Sequence, residues 1–369
     1  MHKKNSGNYV DNTLFITAFI LVLGGLIMVY SSSTVLAIGT YKDGAYFFKR
    51  QFLWLVIGCL TGFVFYKMDK ENLKKIIPLL TFVSILMLFA VHIPGFGRKA
   101  NGATRWLKIG PLPSFQPFEI AKLFYIFFLA YLFGKDNVKP SGKLLISTII
   151  TCIIVVALIK QRDLGGAIII AMLFLAMTFV AGIKMTYFII LFFAGVFITL
   201  YFIFMEPYRL KRLFIFLNPW QDYYGAGWQV IQSLIAIGSG GPLGNGFFQS
   251  QQKFYYLPAP HTDYIFSIIG EELGTWGCIL VLIGFYLILQ RGIYISVTTK
   301  DNFYKYLAVG LTLMIIIQAL TNIFVAIGWF PPKGTTLPFF SYGGTALISN
   351  IIAISVILSI SREVHGGTL

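Results

Sequence analysis

Charge is what this 369-residue chain has least of. Asp, Glu, Lys and Arg together make up 12% of it, about half of what a soluble domain carries. Acidic residues are the scarcer sign, 14 against 29 basic ones, for a net charge of +15. Cysteine is nearly missing too. Cys59, Cys152 and Cys278 lie far apart inside apolar runs and are odd in number, so no disulfide framework or thiolate metal site is readable. The four histidines, His2, His92, His261 and His365, have no paired spacing, and neither a structural metal nor a haem is expected. These shortages exclude a soluble globular domain, a disulfide scaffold and a metal-built fold.

Apolar residues are what the chain has in quantity: 57% of it is hydrophobic and the mean hydropathy is +0.77. They fall in blocks near the ~20 residues that a bilayer core requires. Ten blocks are read as spans, at 13–38, 51–66, 76–93, 117–133, 143–160, 164–182, 185–204, 263–289, 306–328 and 340–361. The expected fold class is therefore all-α, a single polytopic membrane domain over 1–369 with about ten transmembrane helices. Only Gly182 to Lys184 separates the sixth span from the seventh. The first block is too long for a signal-peptide core and reads as an uncleaved helix behind a tail at 1–12.

In a soluble protein +15 would suggest nucleic acid. In a membrane protein it reads as juxtamembrane Lys and Arg facing anionic lipid, or as a surface for an anionic substrate such as a phosphorylated lipid. An even span count puts both termini on one side, together with the basic loops 67–75, 134–143 and 290–305. The positive-inside rule makes that side cytoplasmic. The opposite side is basic as well, with Arg98, Arg105, Lys108, Arg212, Lys253 and Lys333 among its residues, which suits phosphate groups at the outer leaflet.

The segment 205–262, between spans seven and eight, is the largest loop and is expected to be extracytoplasmic. Its stretch GWQVIQSLIAIG is too short to span and fits an interfacial or re-entrant amphipathic helix. The glycine-rich GSGGPLGNG that follows needs irregular backbone, which survives near a membrane only against protein or a wet cavity. No internal repeat is visible, which speaks against an inverted-repeat transporter.

Five stretches could carry chemistry. In HTDYIFSIIGEELG, read as one helix from Asp263, Ser267, Gly270 and Gly274 form a stripe behind the Asp, with Glu271 on its rim and Glu272 off it. Asp263 alone would also serve as a cap or a dipole partner. Glu271 and Glu272, ~12 Å further in, read as cavity-lining or structural. In FQPFEIAKL, Glu119 and Lys122 share a helix face with Gln116, either as a structural ion pair or as part of a polar cavity. In NGATRWLKIG, Arg105 and Lys108 flank Trp106, an interfacial ring beside cations suited to phosphate. In QRDLGG, Asp163 is placed to cap the next helix. In WFPPKGTTLPFFSYGGT, prolines and glycines break the helix and would aim Lys333, Thr335, Thr336, Ser341 and Tyr342 at a shared space.

Taken together these stretches resemble the SEDS family, the group containing RodA, FtsW and SpoVE. Nearly the whole chain takes part, through NGATRWLKIGPLPSFQPFEIAKL, QRDLGGA, NPWQDYYGAGWQVIQSLIAIGSGGPLGNG, YLPAPHTDYIFSIIGEELG and LPFFSYGGTALI, in family order. QSQQKFYYLPAPHTDYIF is more similar to the FtsW and SpoVE branch than to RodA. Phe118 departs from a usual Ser and Arg162 from a usual Pro.

The resemblance implies a peptidoglycan glycosyltransferase that polymerises lipid II into β-1,4-linked strands at the outer face of the bacterial cytoplasmic membrane, in division, shape or sporulation. It implies a class B penicillin-binding protein as partner, beside lipid II, the nascent glycan strand and membrane lipid, and no nucleic acid. The family's essential Asp falls on Asp263, the expected catalytic base, and its substrate-binding residues fall on Arg105, Trp106, Glu119 and Lys122. Ser341 of the fifth stretch is added to that set. Departure of a diphosphate calls for cations or a divalent metal, Mg or Mn, with no organic cofactor. The same features would also serve a lipid II flippase, or a non-catalytic membrane scaffold for the penicillin-binding protein.

Overall fold

The computed structural model describes residues 10–100, 103–108, 110, 114–225 and 227–366. Of the tail expected at 1–12, residues 1–9 lie outside that range. Each expected span becomes a helix: α1 (Asn12–Tyr41), α2 (Tyr46–Lys67), α3 (Lys70–Ala90), α4 (Pro117–Phe133), α5 (Pro140–Lys160), α6 (Leu164–Val180) and α7 (Met185–Phe204), then, after the long loop, α10 (Ile265–Thr298), α11 (Asn302–Ala326) and α12 (Gly344–Gly366). Eight of the ten are long and apolar enough to cross a bilayer. The other two, α4 and α6, have 17 residues each, at the lower limit for a span. The helix starts follow capping chemistry. Asp11 and Asp163 accept from the backbone N–H of Leu14 and Gly166, and Pro117 and Pro140 stand in first turns. The break between α6 and α7 falls at Gly182, as expected.

Alternating helix directions gather the connections into two ends. At one end, Arg291 grips the Asp11 carboxylate with two nitrogens at 2.6 and 2.8 Å, Lys70 pairs with Asp301 at 2.6 Å, and Ser359 donates to the Tyr66 carbonyl. Both ends of the described chain lie there. Every stretch singled out from the sequence lies at the other end, including the hairpin β1 (Gly97–Ala100) and β2 (Ala103–Leu107).

The long loop holds more helix than expected. The amphipathic segment is α9 (Trp228–Ser239), and a second one, α8 (Pro207–Leu217), precedes it. In α8, Leu210, Leu213, Phe214 and Leu217 recur at helical spacing between Arg209, Lys211 and Arg212. The helix before it, α7, packs on α6 and α8 and buries none of its residues.

The eighth span differs most from expectation. It starts at Ile265 rather than Asp263, runs to Thr298, and breaks at Gly274, where φ is 68° and ψ is −165°. Residues with a side chain rarely take that backbone conformation, and a Cβ would also run into Pro242 and Gly244. The single straight stripe from Asp263 to Gly274 therefore does not form. The glycine-rich loop after α9 fills the broken hydrogen-bond ladder. Asn245 and Gly246 donate to the carbonyls of Glu271 and Glu272, and the N–H groups of Thr275 and Trp276 donate to Gly241 and Pro242.

Glu271 and Glu272 turn out to be structural, with partners from distant parts of the chain. Glu271 accepts from the Ser250 hydroxyl at 2.5 Å and from the backbone of Gln251 at 2.7 Å. Glu272 accepts from Ser31 of α1 at 2.6 Å and pairs with Lys253 at 3.1 Å. Both members of that ion pair are buried. Glu272→Ala should therefore cost about 3–5 kcal/mol by leaving the Lys253 ammonium without its counter-charge, read as a lowered midpoint of thermal unfolding in detergent. An unchanged midpoint would show that the loop is anchored elsewhere.

Candidate active site

Asp263 closes the turn that leads into α10. It caps nothing there, because Tyr264 is the cap residue and no side chain bonds the first turn. Three successive carbonyls of this turn are held. Tyr342 N–H donates to His261 at 2.8 Å, the Ser341 hydroxyl to Thr262, and the Asn322 amide to Asp263 at 2.8 Å. The half-buried Asp263 carboxylate stands beside Gly334, where a Cβ would lie 3.1 Å from Oδ2. Burial pushes its pKa up to about 7, against the opposing pull of Arg105 and Arg212 and a hydrogen bond from Thr262. Burial also lowers His261 to about 4, so it is neutral at pH 7. Its ring packs on Phe47 and Tyr342.

Cations reach this space from three separate elements. Arg105 on β2 sits over the start of α6, 3.8 Å from Asp163, and donates to the Arg162 carbonyl. Arg212 on α8 donates to the Pro332 carbonyl at 3.0 Å. Lys333, in the segment between α11 and α12, donates to the Gly165 carbonyl. Burial lowers its pKa to about 7, with Asp163 opposing the shift and Lys122 and Arg105 adding to it. Sequence reasoning had Lys333 and Arg212 only as members of a broken loop and a basic surface. Their convergence depends on α8, whose apolar spacing was the available signal.

The remaining expected residues are placed differently. Lys122 is fully buried and pairs with Glu119 at 2.6 Å. It also donates to Gln318 of α11, whose own amide donates to Thr336. The Glu119 and Lys122 side chains are thus committed to each other and to the scaffold. The Ser341 hydroxyl is committed too, donating to Thr262 and accepting from Leu337 N–H. Trp106 lies across the hairpin from Arg98, and a register shift beside it leaves Arg105 without a pairing partner on β1. Asp163 holds the first turn of α6 as well as Arg105.

Fold and site together define a polytopic membrane protein that keeps one half-buried carboxylate and three cations at one end of its helical bundle. The FtsW/RodA/SpoVE cell cycle protein family matches residues 11–366. The probable peptidoglycan glycosyltransferase FtsW of Trichlorobacter lovleyi is 38% identical over 95% of this chain and 93% of its own length. Stage V sporulation protein E of Bacillus subtilis is 39% identical over 95% and 97%. Among solved structures, a chain of a peptidoglycan synthase complex that coordinates polymerization and crosslinking superposes with a TM-score of 0.78. It is 29% identical, with 96% of this chain and 98% of that one covered. The rod shape determining protein RodA of Thermus thermophilus gives 0.71 at 25% identity, with 96% and 97% covered. The chain belongs to the FtsW/RodA/SpoVE family.

Proposed function

We propose a route for the peptidoglycan glycosyl transfer that this chain carries out, with Asp263 as general base and lipid II as substrate. An acceptor sugar hydroxyl gives its proton to the Asp263 carboxylate as its oxygen bonds to the donor's anomeric carbon. The bond from that carbon to the diphosphate breaks, and its electron pair leaves with the polyprenyl diphosphate. A diphosphate departs without an acid partner, so one carboxylate suffices. Direct displacement inverts the α-linked donor to a β-1,4 bond. The observation that carries this reading is the half-buried Asp263 carboxylate, which caps no helix and is drawn on by Arg105 and Arg212 from two elements, with Lys333 one residue from the Gly334 it rests against. These cations would take up charge on the leaving group. In this reading Lys122 and Glu119 support the site from beneath and do not touch substrate.

Among the described residues no three His, Cys, Asp or Glu side chains gather. Glu119 and Asp163 are already engaged and the base must keep its carboxylate free for a proton, so a Mg or Mn ion would enter on the diphosphate itself, as Mg commonly binds through substrate phosphates. When bound it would supply further charge neutralisation at the leaving group.

The reacting end is assigned to the outer face of the cytoplasmic membrane and both termini to the cytoplasm. The basic connections at the other end of the bundle support this. A class B penicillin-binding protein is the proposed partner, supported by the likeness to a synthase complex that couples polymerization to crosslinking.

The test is polymerisation of labelled lipid II by the purified chain in detergent, where flipping has no meaning. Glycan polymer is expected. No polymer, with lipid II transport in vesicles, would identify a flippase instead. The pH dependence adds a signature. The base must have lost its proton and Lys333 must have kept its own. With both near 7 in the free protein, kcat/KM should rise and fall about pH 7. Bound diphosphate favours the charged lysine, so the descending limb of kcat should move to higher pH. A flat kcat/KM between pH 6 and 8 would count against both assignments.

A further inference from the structure

Two amide side chains stand four residues apart on α11, Gln318 and Asn322, and so share one face. Gln318 serves the lower part of the site, between Lys122 and Thr336. Asn322 serves the upper part. It is wholly buried, and its single Nδ2 donates twice, to the Asp263 carbonyl at 2.8 Å and to the Thr335 carbonyl at 2.5 Å. Its Oδ1 has no partner among the described residues. The amide cannot be turned over to improve matters, because Oδ1 would then face two carbonyl oxygens.

The two carbonyls belong to the two arms of the reaction centre. One is that of the carboxylate-bearing residue. The other lies two residues from Lys333, and Gly334 between them is the residue against which the Asp263 carboxylate rests. The other ties on this turn come from Ser341 and Tyr342, inside the same irregular segment that carries Lys333. Asn322 is the tie that comes from a helix.

We propose that Asn322 is a positioning residue of the transfer, fixing the separation between the Asp263 carboxylate and the Lys333 ammonium. It rests on the reading of Asp263 as base. Misplacement of a reacting group by about 1 Å costs on the order of 10²-fold in rate, and the two donations of this amide tie together the backbones that carry the two groups.

Asn322→Ala, Asn322→Asp and Asn322→Gln are compared with Asp263→Ala in the full chain, by lipid II polymerisation across pH and by thermal unfolding. Asn322→Ala should lower kcat by about 10²-fold with KM little changed, and Asn322→Gln should recover part of that. Asn322→Asp keeps the shape, but a carboxyl wholly buried against two carbonyl oxygens holds its proton and can donate to only one of them. The groups facing Asp263 are Arg105 on β2, Arg212 on α8, and the neighbouring Thr262, Tyr264 and neutral His261. The variant leaves these groups in place, so it should lose kcat as Asn322→Ala does, less what one donation restores, with KM little changed.

The proposal is overturned if Asn322→Ala turns over within twofold of wild type while Asp263→Ala is inactive, or if only KM changes. If Asn322→Ala does not fold, Asn322→Asp decides, and turnover within twofold of wild type overturns the proposal. Activity in Asp263→Ala would remove the base assignment itself, and this proposal with it.

Discussion

Asp263→Asn is expected to lower lipid II polymerisation by about 10²–10⁴-fold, the usual worth of a positioned general base. Unfolding midpoint and membrane insertion should stay as in wild type. Asparagine is the informative replacement. It keeps the size of the side chain and caps a helix as well as aspartate does, so a capping role for Asp263 predicts normal activity. The geometry argues against that role, since the first turn of α10 takes no side-chain bond. The amide removes only the capacity to accept a proton. Rates for wild type and variant, measured side by side at pH 8, where most of the wild-type carboxylate is ionised, give the cleanest contrast. A variant that keeps a tenth or more of wild-type kcat would move the base elsewhere.

Lys122→Met should be nearly as damaging, by another route. The Glu119–Lys122 pair is buried on α4, and removing one member leaves a carboxylate inside the bundle without its counter-charge. Losses of about 3–5 kcal/mol are usual for that, enough to deplete the folded protein. Gln318 Oε1 also loses its donor. Glu119→Gln combined with Lys122→Met removes both charges, and such neutral replacements of a buried pair are often tolerated. The double variant should regain most of the unfolding midpoint and, with it, much of the activity. If Lys122 instead reached the substrate, the double variant would be stable and inactive. Thermal unfolding and turnover on the four members of this cycle separate the two roles.

The ten helices expected as spans were legible because each is an apolar run, eight of them long enough to cross a bilayer, and that signal is local. The fracture of α10 was not. Gly274 reads in sequence as one more small residue on a stripe, and only the docking of the glycine-rich loop shows that the ladder is broken. The anchoring of Glu272 was illegible for a similar reason, since its partner Ser31 lies 241 positions away. Helix α8 is hard to read because Arg209, Lys211 and Arg212 break its apolar run in sequence, although they lie off its apolar face. With it went the arrival of Arg212 at the site. Asp263 and Arg105 were legible as motif residues. Lys122 was legible as one half of a pair, but its commitment to Gln318 depends on how α11 packs.

The fracture at Gly274 also sets an angular tolerance. The ten residues from Ile265 to Gly274 form a stub about 15 Å long, with the carboxylate of Asp263, the proposed base, just past its free end and the bend at its root. A stub of that length is a lever. Each degree of bending at the root swings the tip by about 0.3 Å, so three to four degrees amount to the ~1 Å that costs two orders of magnitude in rate. The carboxylates of Glu271 and Glu272, clasping residues 250–253 close to the fulcrum, brace it against such bending. Whatever presses on the lower, membrane-spanning part of α10 therefore has a mechanical handle on the chemistry some 15 Å away.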